Sequence, residues 1–216
     1  MEKKYKFTDE VVDYYGRKLH RIEALRDFGC VKKGDKGGLI ENEGNLSQDG
    51  ECWVYSGAMV YDNAKILDDG WVCHNAVVCN NAEVHGKGIV GGHAMLLDNA
   101  KVCDVADISD NVVVRNNAVV CGLVDVVGSI DIGGDAIIAN TEDYIAFNAN
   151  WCTEGDIVYT RSNKKYKFGC LLFSDKELIS AGYRQSKKMG ECYERLVEYV
   201  DNVYRIIDND NNFKII

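Results

Sequence analysis

Cut into sixes from Trp53, the chain reads WVYSGA, MVYDNA, KILDDG, WVCHNA, VVCNNA and onward in the same metre. The second residue of the hexad is Val, Ile or Leu fifteen times in succession, from Val54 to Ile138, and only a sixteenth hexad departs, with Tyr144. The sixth is Ala or Gly in eleven of those fifteen, and the fourth and fifth are rich in Asn, Asp and Gly. No helical period produces such a run. A six-residue metre with one inward aliphatic fits a short strand followed by a turn: the second residue points in, and the first and third point out. Gly and Asn tolerate the left-handed backbone that the turn needs, and small residues fit the corner. Three hexads close a triangular coil of 18 residues, and coils stack strand on strand at ~4.8 Å. About five coils make a prism roughly 25 Å tall by that spacing.

The expectation is therefore a mainly β chain in three segments. Residues 1–50 form a β-rich cap, 51–150 the hexapeptide-repeat coils from about Trp53 to about Asn148, and 151–216 a hairpin with amphipathic helices. In the cap, Lys4–Thr8 and Lys18–Ala24 alternate like strands around a turn at Tyr15-Gly16. In the tail, DIVYTR and YKFGCLLF flank a turn at Ser162–Lys165, and Ser174 can start a short helix. Leu196, Val200, Val203 and Ile207 then repeat at three- and four-residue steps within a helix expected from about Glu191 to Ile207, the simplest role of which is to cover the far end of the prism.

Composition narrows the function classes. Across 51–150, Asp and Glu outnumber Lys and Arg by 14 to 4, whereas the whole chain carries −9. An acidic prism has no footprint for a nucleic-acid polymer. No apolar run approaches the ~20 residues of a membrane helix. The start, MEKKYKFTDE, lacks the apolar stretch of a secretory signal. There are nine cysteines but no Cys-x-x-Cys pair, which reads as reduced thiols used as small apolar residues in a cytoplasm.

The outward columns differ by face. The first face presents Trp53, Trp71 and Ile89, then Asp107 and Asp125; the second presents Met59, Val77, Met95 and Val113 beside Tyr61, Cys79, Leu97 and Arg115. A face apolar in both outward columns needs a cover. Other subunits are the favoured cover, with Trp53, Trp71, Met59, Tyr61, Val77, Met95 and Leu97 at the interface; the alternative is that the chain's own ends fold over these faces.

The hexad metre resembles the left-handed β-helix family, which includes many acyltransferases and usually forms trimers about an axis parallel to the coils. A more specific resemblance lies in the ends. Lys4-Tyr5-Lys6-Phe7-Thr8, Leu19-His20-Arg21-Ile22, Gly34-Asp35 with Gly37-Gly38, Asn45-Leu46-Ser47-Gln48 running into Cys52-Trp53, and Gly169-Cys170 with Phe173 are similar to phage- and prophage-encoded hexapeptide-repeat proteins often labelled transferases. The left hand, the trimer and the phage setting are implied by these resemblances alone.

Candidate chemistry is sparse. His74 and His93 lie one residue out of register at one corner, with Asp110 a coil beyond Gly92; as a set they suit a general base, a metal or a pH-sensitive contact, or else three solvated turn residues. His85, Cys103 and Cys121 share another column, on the face expected to meet solvent. A metal can in principle bridge them, but with only three ligands a surface ladder is the favoured reading and no metal is expected. Basic side chains concentrate at the ends, around Arg17 to Arg21, at Lys32-Lys33-Lys36, at Arg161 with Lys164-Lys165-Lys167, and at Arg184 with Lys187-Lys188. The hexads run on without the inserted loop that acyltransferases of this architecture often carry, and no nucleophile elbow or phosphate loop occurs. The reading that follows is a non-catalytic trimeric binding protein that needs no cofactor. It holds a small anionic, nucleotide-like ligand, such as a host defence signal, with His74, His93, Asp110, Arg115, Arg161 and Lys165. The alternatives are an acyltransferase using acetyl-CoA or another acyl-CoA, with His74 or His93 as base, and a structural assembly protein.

Overall fold

The computed structural model describes residues 3–147 and 156–213, with side chains through 209 in the last helix. The chain divides into two compact units, the first ending at Asp143 and the second beginning at Tyr144.

The first unit is a parallel β-solenoid. Fifteen two-residue strands, from Trp53–Val54 to Ile137–Ile138, coincide with the first two residues of the hexads. Each pairs in parallel with the strand one coil away, as Trp53 does with Trp71 and Ile89 with Asp107. Every second-position residue from Val54 to Ile138 is fully buried, Val72, Val90 and Ile108 among them, so the aliphatic columns do line the interior. The sixth-position alanines, such as Ala58, Ala76 and Ala100, are equally buried, because a larger side chain has no room at the corner.

The fourth hexad position explains the abundance of Asp and Asn. Asp62, Asp68, His74, Asn80, Asp98, Asp104, Asp110 and Asn116 all hold φ between 53° and 62°, the left-handed region. Glycine would adopt it more cheaply. Asp and Asn add an oxygen that reaches the next coil: Asn80 Oδ1 accepts from Asp98 N at 3.0 Å, and Asp98 Oδ2 accepts from Asn116 N at 2.9 Å. At the fifth position, Asn63, Asn81, Asn99 and Asn117 form an amide ladder, each Nδ2 donating to the next Oδ1 at 3.1 Å.

Three strands precede the coils: β1 (Tyr5–Tyr14), β2 (Arg17–Ala24) and β3 (Lys36–Ile40). β1 and β2 form the expected hairpin around Tyr15 and Gly16, both at positive φ. β3 pairs antiparallel with β2 but parallel with Met59–Val60, which makes one face an eight-stranded sheet. Leu46 likewise bridges Ile66 in parallel. The solenoid thus begins before Trp53, with a partial coil built from the cap, and its leading edge is closed by antiparallel strands.

At the other end, the irregular sixteenth hexad does not continue the coil, contrary to the expectation of coils to about Asn148; Asn148 itself lies outside the described residues. Tyr144–Phe147 pairs antiparallel with Ile157–Thr160, which continues to Lys165–Phe168 and Leu171–Phe173. Helix α1 (Asp175–Gln185) starts at Ser174, where the Glu177 carboxylate accepts from Ser174 N and Oγ, both at 2.7 Å. Helix α2 (Lys187–Phe213) is longer than the sequence periodicity outlines. Its Tyr193, Leu196, Val197, Val200 and Tyr204 share a core with Ile157, Tyr159, Tyr166 and Phe168. The apolar stripe expected to cover the prism is therefore occupied by the second unit's own sheet. Among the described residues no helix is long and apolar enough to cross a membrane.

Candidate functional site

The first face of the solenoid gathers the most varied chemistry. Its leading outward residue, Trp53, is only 1% exposed, because Tyr5 and Phe28 meet its ring edge-on at centroid distances of 6.4 and 5.4 Å. The first coil is thus covered by the chain's own cap, and Trp53 is unavailable to a partner. Trp71, one coil on, is half-buried and braced by Tyr55 at 5.7 Å. Ile89 extends the same apolar floor. The corner beside this floor carries Glu51, Asp69, Lys87 and Val105, and together these six residues line a cavity of about 500 Å³. That volume lies within the usual range for small-molecule sites.

Across the strand from this floor, Gly91 leaves a notch. A Cβ there would sit 3.2 Å from Cys73 Sγ, 3.6 Å from His74 Nδ1 and 3.8 Å from Ser109 Cβ. His74 Nδ1 accepts from Gly92 N at 3.4 Å, which leaves Nε2 to face outward. Asp107 continues the Trp71–Ile89 column. Its Oδ1 is buried without a hydrogen-bond partner. Burial raises its carboxyl pKa, the neighbouring Asp125 raises it further, and His74 pulls it back. Burial likewise raises the Cys73 thiol. Such a thiol is protonated at neutral pH and is a poor nucleophile. Among the described residues no hydrogen bond links His74 to Cys73 or Ser109.

The nominated residues are distributed as follows. His74 and Asp110 both serve the turn ladder, Asp110 Oδ2 accepting from Gly128 N at 3.1 Å. His93 is exposed at the fifth hexad position. The ligand atoms of His74, His93 and Asp110 do not converge into a metal-type group. Arg115, on the second face, grips Asp131 with Nε 3.1 Å from Oδ1 and a second contact through its terminal nitrogen. Arg161 and Lys165 belong to the second unit. Arg161 pairs with Asp208 over the Tyr204 ring, 5.0 Å from its centroid, beside a cavity of about 520 Å³ that Lys164 and Arg205 also line. Lys165 lies 3.6 Å from Glu177. Each nominated cation thus already faces a carboxylate.

On the second face, Tyr61 packs against Tyr14 at 5.7 Å and under the Arg17 guanidinium at 5.2 Å. Cys79 is buried, Met59, Val77, Leu97 and Val113 are half-buried, and Met95 is exposed. Sequence reasoning put Trp71, Ile89 and Asp107 on one face and singled out His74, but it assigned Trp71 to a subunit interface and did not bring Asp69 and Lys87 to this face. The signal was present, since Asp69, Lys87 and Val105 are spaced by one coil beside the Trp71–Ile89 column.

No known family profile matches the chain, and no curated protein is significantly similar to it.

Proposed function

We propose that the chain is a non-catalytic binding module that holds a small, ring-bearing, nucleotide-like ligand on the first face and self-associates, as a trimer, through the second. The observation that carries this reading is the 500 Å³ groove floored by Trp71 and Ile89. An indole and an isoleucine offer a stacking platform to a planar ring. Lys87 is the cation for a phosphate, and Glu51 and Asp69 accept from ring amines or ribose hydroxyls. The raised Cys73 thiol makes that residue a poor nucleophile beside the groove. Self-association is supported by the open apolar run Val77, Met95, Leu97 and Val113. The phage setting, in which such a module sequesters a host nucleotide signal, comes from the resemblance of the ends.

Calorimetry with cyclic nucleotides, ADP-ribose and acetyl-CoA tests the ligand. Stacking is worth about 1–3 kcal/mol per ring, so Trp71→Ala should weaken binding about ten- to a hundredfold. Absent heat across the panel, or affinity unchanged in Trp71→Ala, removes this reading. Turnover of acetyl-CoA that is lost in His74→Ala would replace it with an acyltransferase. Sedimentation of wild type against Met95→Glu tests the second face, because a charge in an apolar contact dissociates it.

A further inference from the structure

The third face carries donors that the groove does not use. Its outward third-position column runs Leu67, His85, Cys103, Cys121 and Ala139, each one coil after the last. Lys101–Val102 and Val119–Val120 pair in parallel and in register, so Cys103 and Cys121 stand side by side on the outer surface. Asp104 follows Cys103 at the turn, with φ 57°, and its carboxylate reaches the next coil at Gly122 N. The two Sγ atoms and a carboxylate oxygen of Asp104 lie within 4.8 Å of one another. Both thiols are free and half-buried.

We propose that Cys103, Cys121 and Asp104 form a surface site for one thiophilic divalent cation of the Zn²⁺ type. Tetrahedral coordination with Zn–S of about 2.3 Å and Zn–O of about 2.0–2.2 Å needs donors roughly 3.5–3.8 Å apart. That spacing lies inside the 4.8 Å within which the three donor atoms are already gathered. The carboxylate is already oriented, since Asp104 Oδ2 accepts from Gly122 N at 3.0 Å. Such outer hydrogen bonds are what fix a ligand in a metal site. The local charge favours a cation. Asp104 and Asp143 both act on Cys121, and the nearby Lys101 is neutralised by Glu83 at 2.7 Å. Cysteine binds such a cation as the thiolate, so binding releases protons and affinity rises with pH. Three protein donors leave a fourth position for water or for the imidazole of His85, one coil away in the same column.

The test uses the full chain, reduced with a non-chelating phosphine and titrated with Co²⁺ and then Zn²⁺. The expected result is one equivalent bound, with thiolate-to-cobalt charge-transfer absorption and about two protons released. Cys103→Ser and Cys121→Ser should each abolish the absorption, and Cys30→Ser and Cys73→Ser should leave it intact. Asp104→Asn should weaken binding at least about 10- to 100-fold. The asparagine is structurally safe, because Asn80 and Asn116 hold the same turn position with φ 60° and 62°. An unchanged titration in both Cys→Ser variants, or no charge-transfer band in the reduced wild type, overturns the proposal. Isolation of Cys103 and Cys121 as a disulfide that binds no cobalt after reduction would overturn it equally.

Discussion

Lys4→Met removes a single charge and should cost the first unit about 3 kcal/mol. Lys4 is fully buried under Phe28, with its ammonium 5.3 Å from the ring centroid. Nζ donates to the carbonyls of Asp49 at 3.1 Å and Cys52 at 3.0 Å, more weakly to Gly50 at 3.4 Å, and lies 3.2 Å from Cys52 Sγ. These carbonyls belong to the loop that leads into the first coil, and the lysine stands in for the coil below that is not there. Methionine keeps the shape of the stem and offers no donor. Two buried carbonyls lose their partner at about 1–3 kcal/mol each, partly offset by relief from burying an ammonium. The balance of about 3 kcal/mol corresponds to a midpoint drop of roughly 6–12 °C for a chain of this size. Thermal unfolding followed by tryptophan fluorescence measures it, since Trp53 and Trp71 both report on the first unit. A midpoint within about 1 °C of wild type would refute the reasoning, because a change that small means the two carbonyls do not depend on the ammonium.

The raised pKa of Asp107 sets a sign. The folded state holds this proton longer than the unfolded chain does. Stability is therefore lost as pH rises from 3.8 through the raised folded value, and Asp107→Asn should raise the midpoint at pH 7 and flatten that slope; parallel pH profiles for the two proteins would contradict the burial argument. Gly92→Ala should cost about 1–3 kcal/mol in a denaturant titration, because φ is 60° and the new Cβ would lie 2.5 Å from Asp110 N. Gly91→Ala, which meets only the Cys73 sulfur closely, should be nearly neutral in the same assay, and Gly91→Leu should fill the notch and lower ligand affinity in calorimetry. Asn99→Ala breaks two exposed amide links and should shift stability by about 1 kcal/mol or less, read from the same denaturant midpoint.

The solenoid was legible because one column, Val54 to Ile138, has no alternative use for its side chains. The turn positions were half legible. Asn and Gly announce the left-handed backbone, but the preference for Asp at 62, 68, 98, 104 and 110 follows from bonds to a residue one coil later, which no local rule contains. Trp53 looked outward because the hexad treats every coil alike, and the cap breaks that symmetry by laying Tyr5 and Phe28 on the first coil. Lys4 was unreadable for the same reason, since its partners arrive some 45 residues further along. The groove was partly legible. Trp71 stood out as a large outward aromatic, whereas Lys87 and Asp69 sit at the corner and become its wall only when coils stack. The unpaired state of Asp107 is a property of packing, which composition does not encode.

The asparagine run at 63, 81, 99 and 117 has a consequence for how such a protein can change over time. Each amide hands its hydrogen upward to an identical neighbour, so all the dipoles point the same way along the axis, and every amide is interchangeable with the next. Removing or duplicating a stretch of 18 residues restores the chain of bonds unbroken. A length of six or twelve keeps the aliphatic residues inside but sets an asparagine against a stranger, and a length that is not a multiple of six also takes the aliphatic column out of register. Growth and shrinkage in this molecule are quantised.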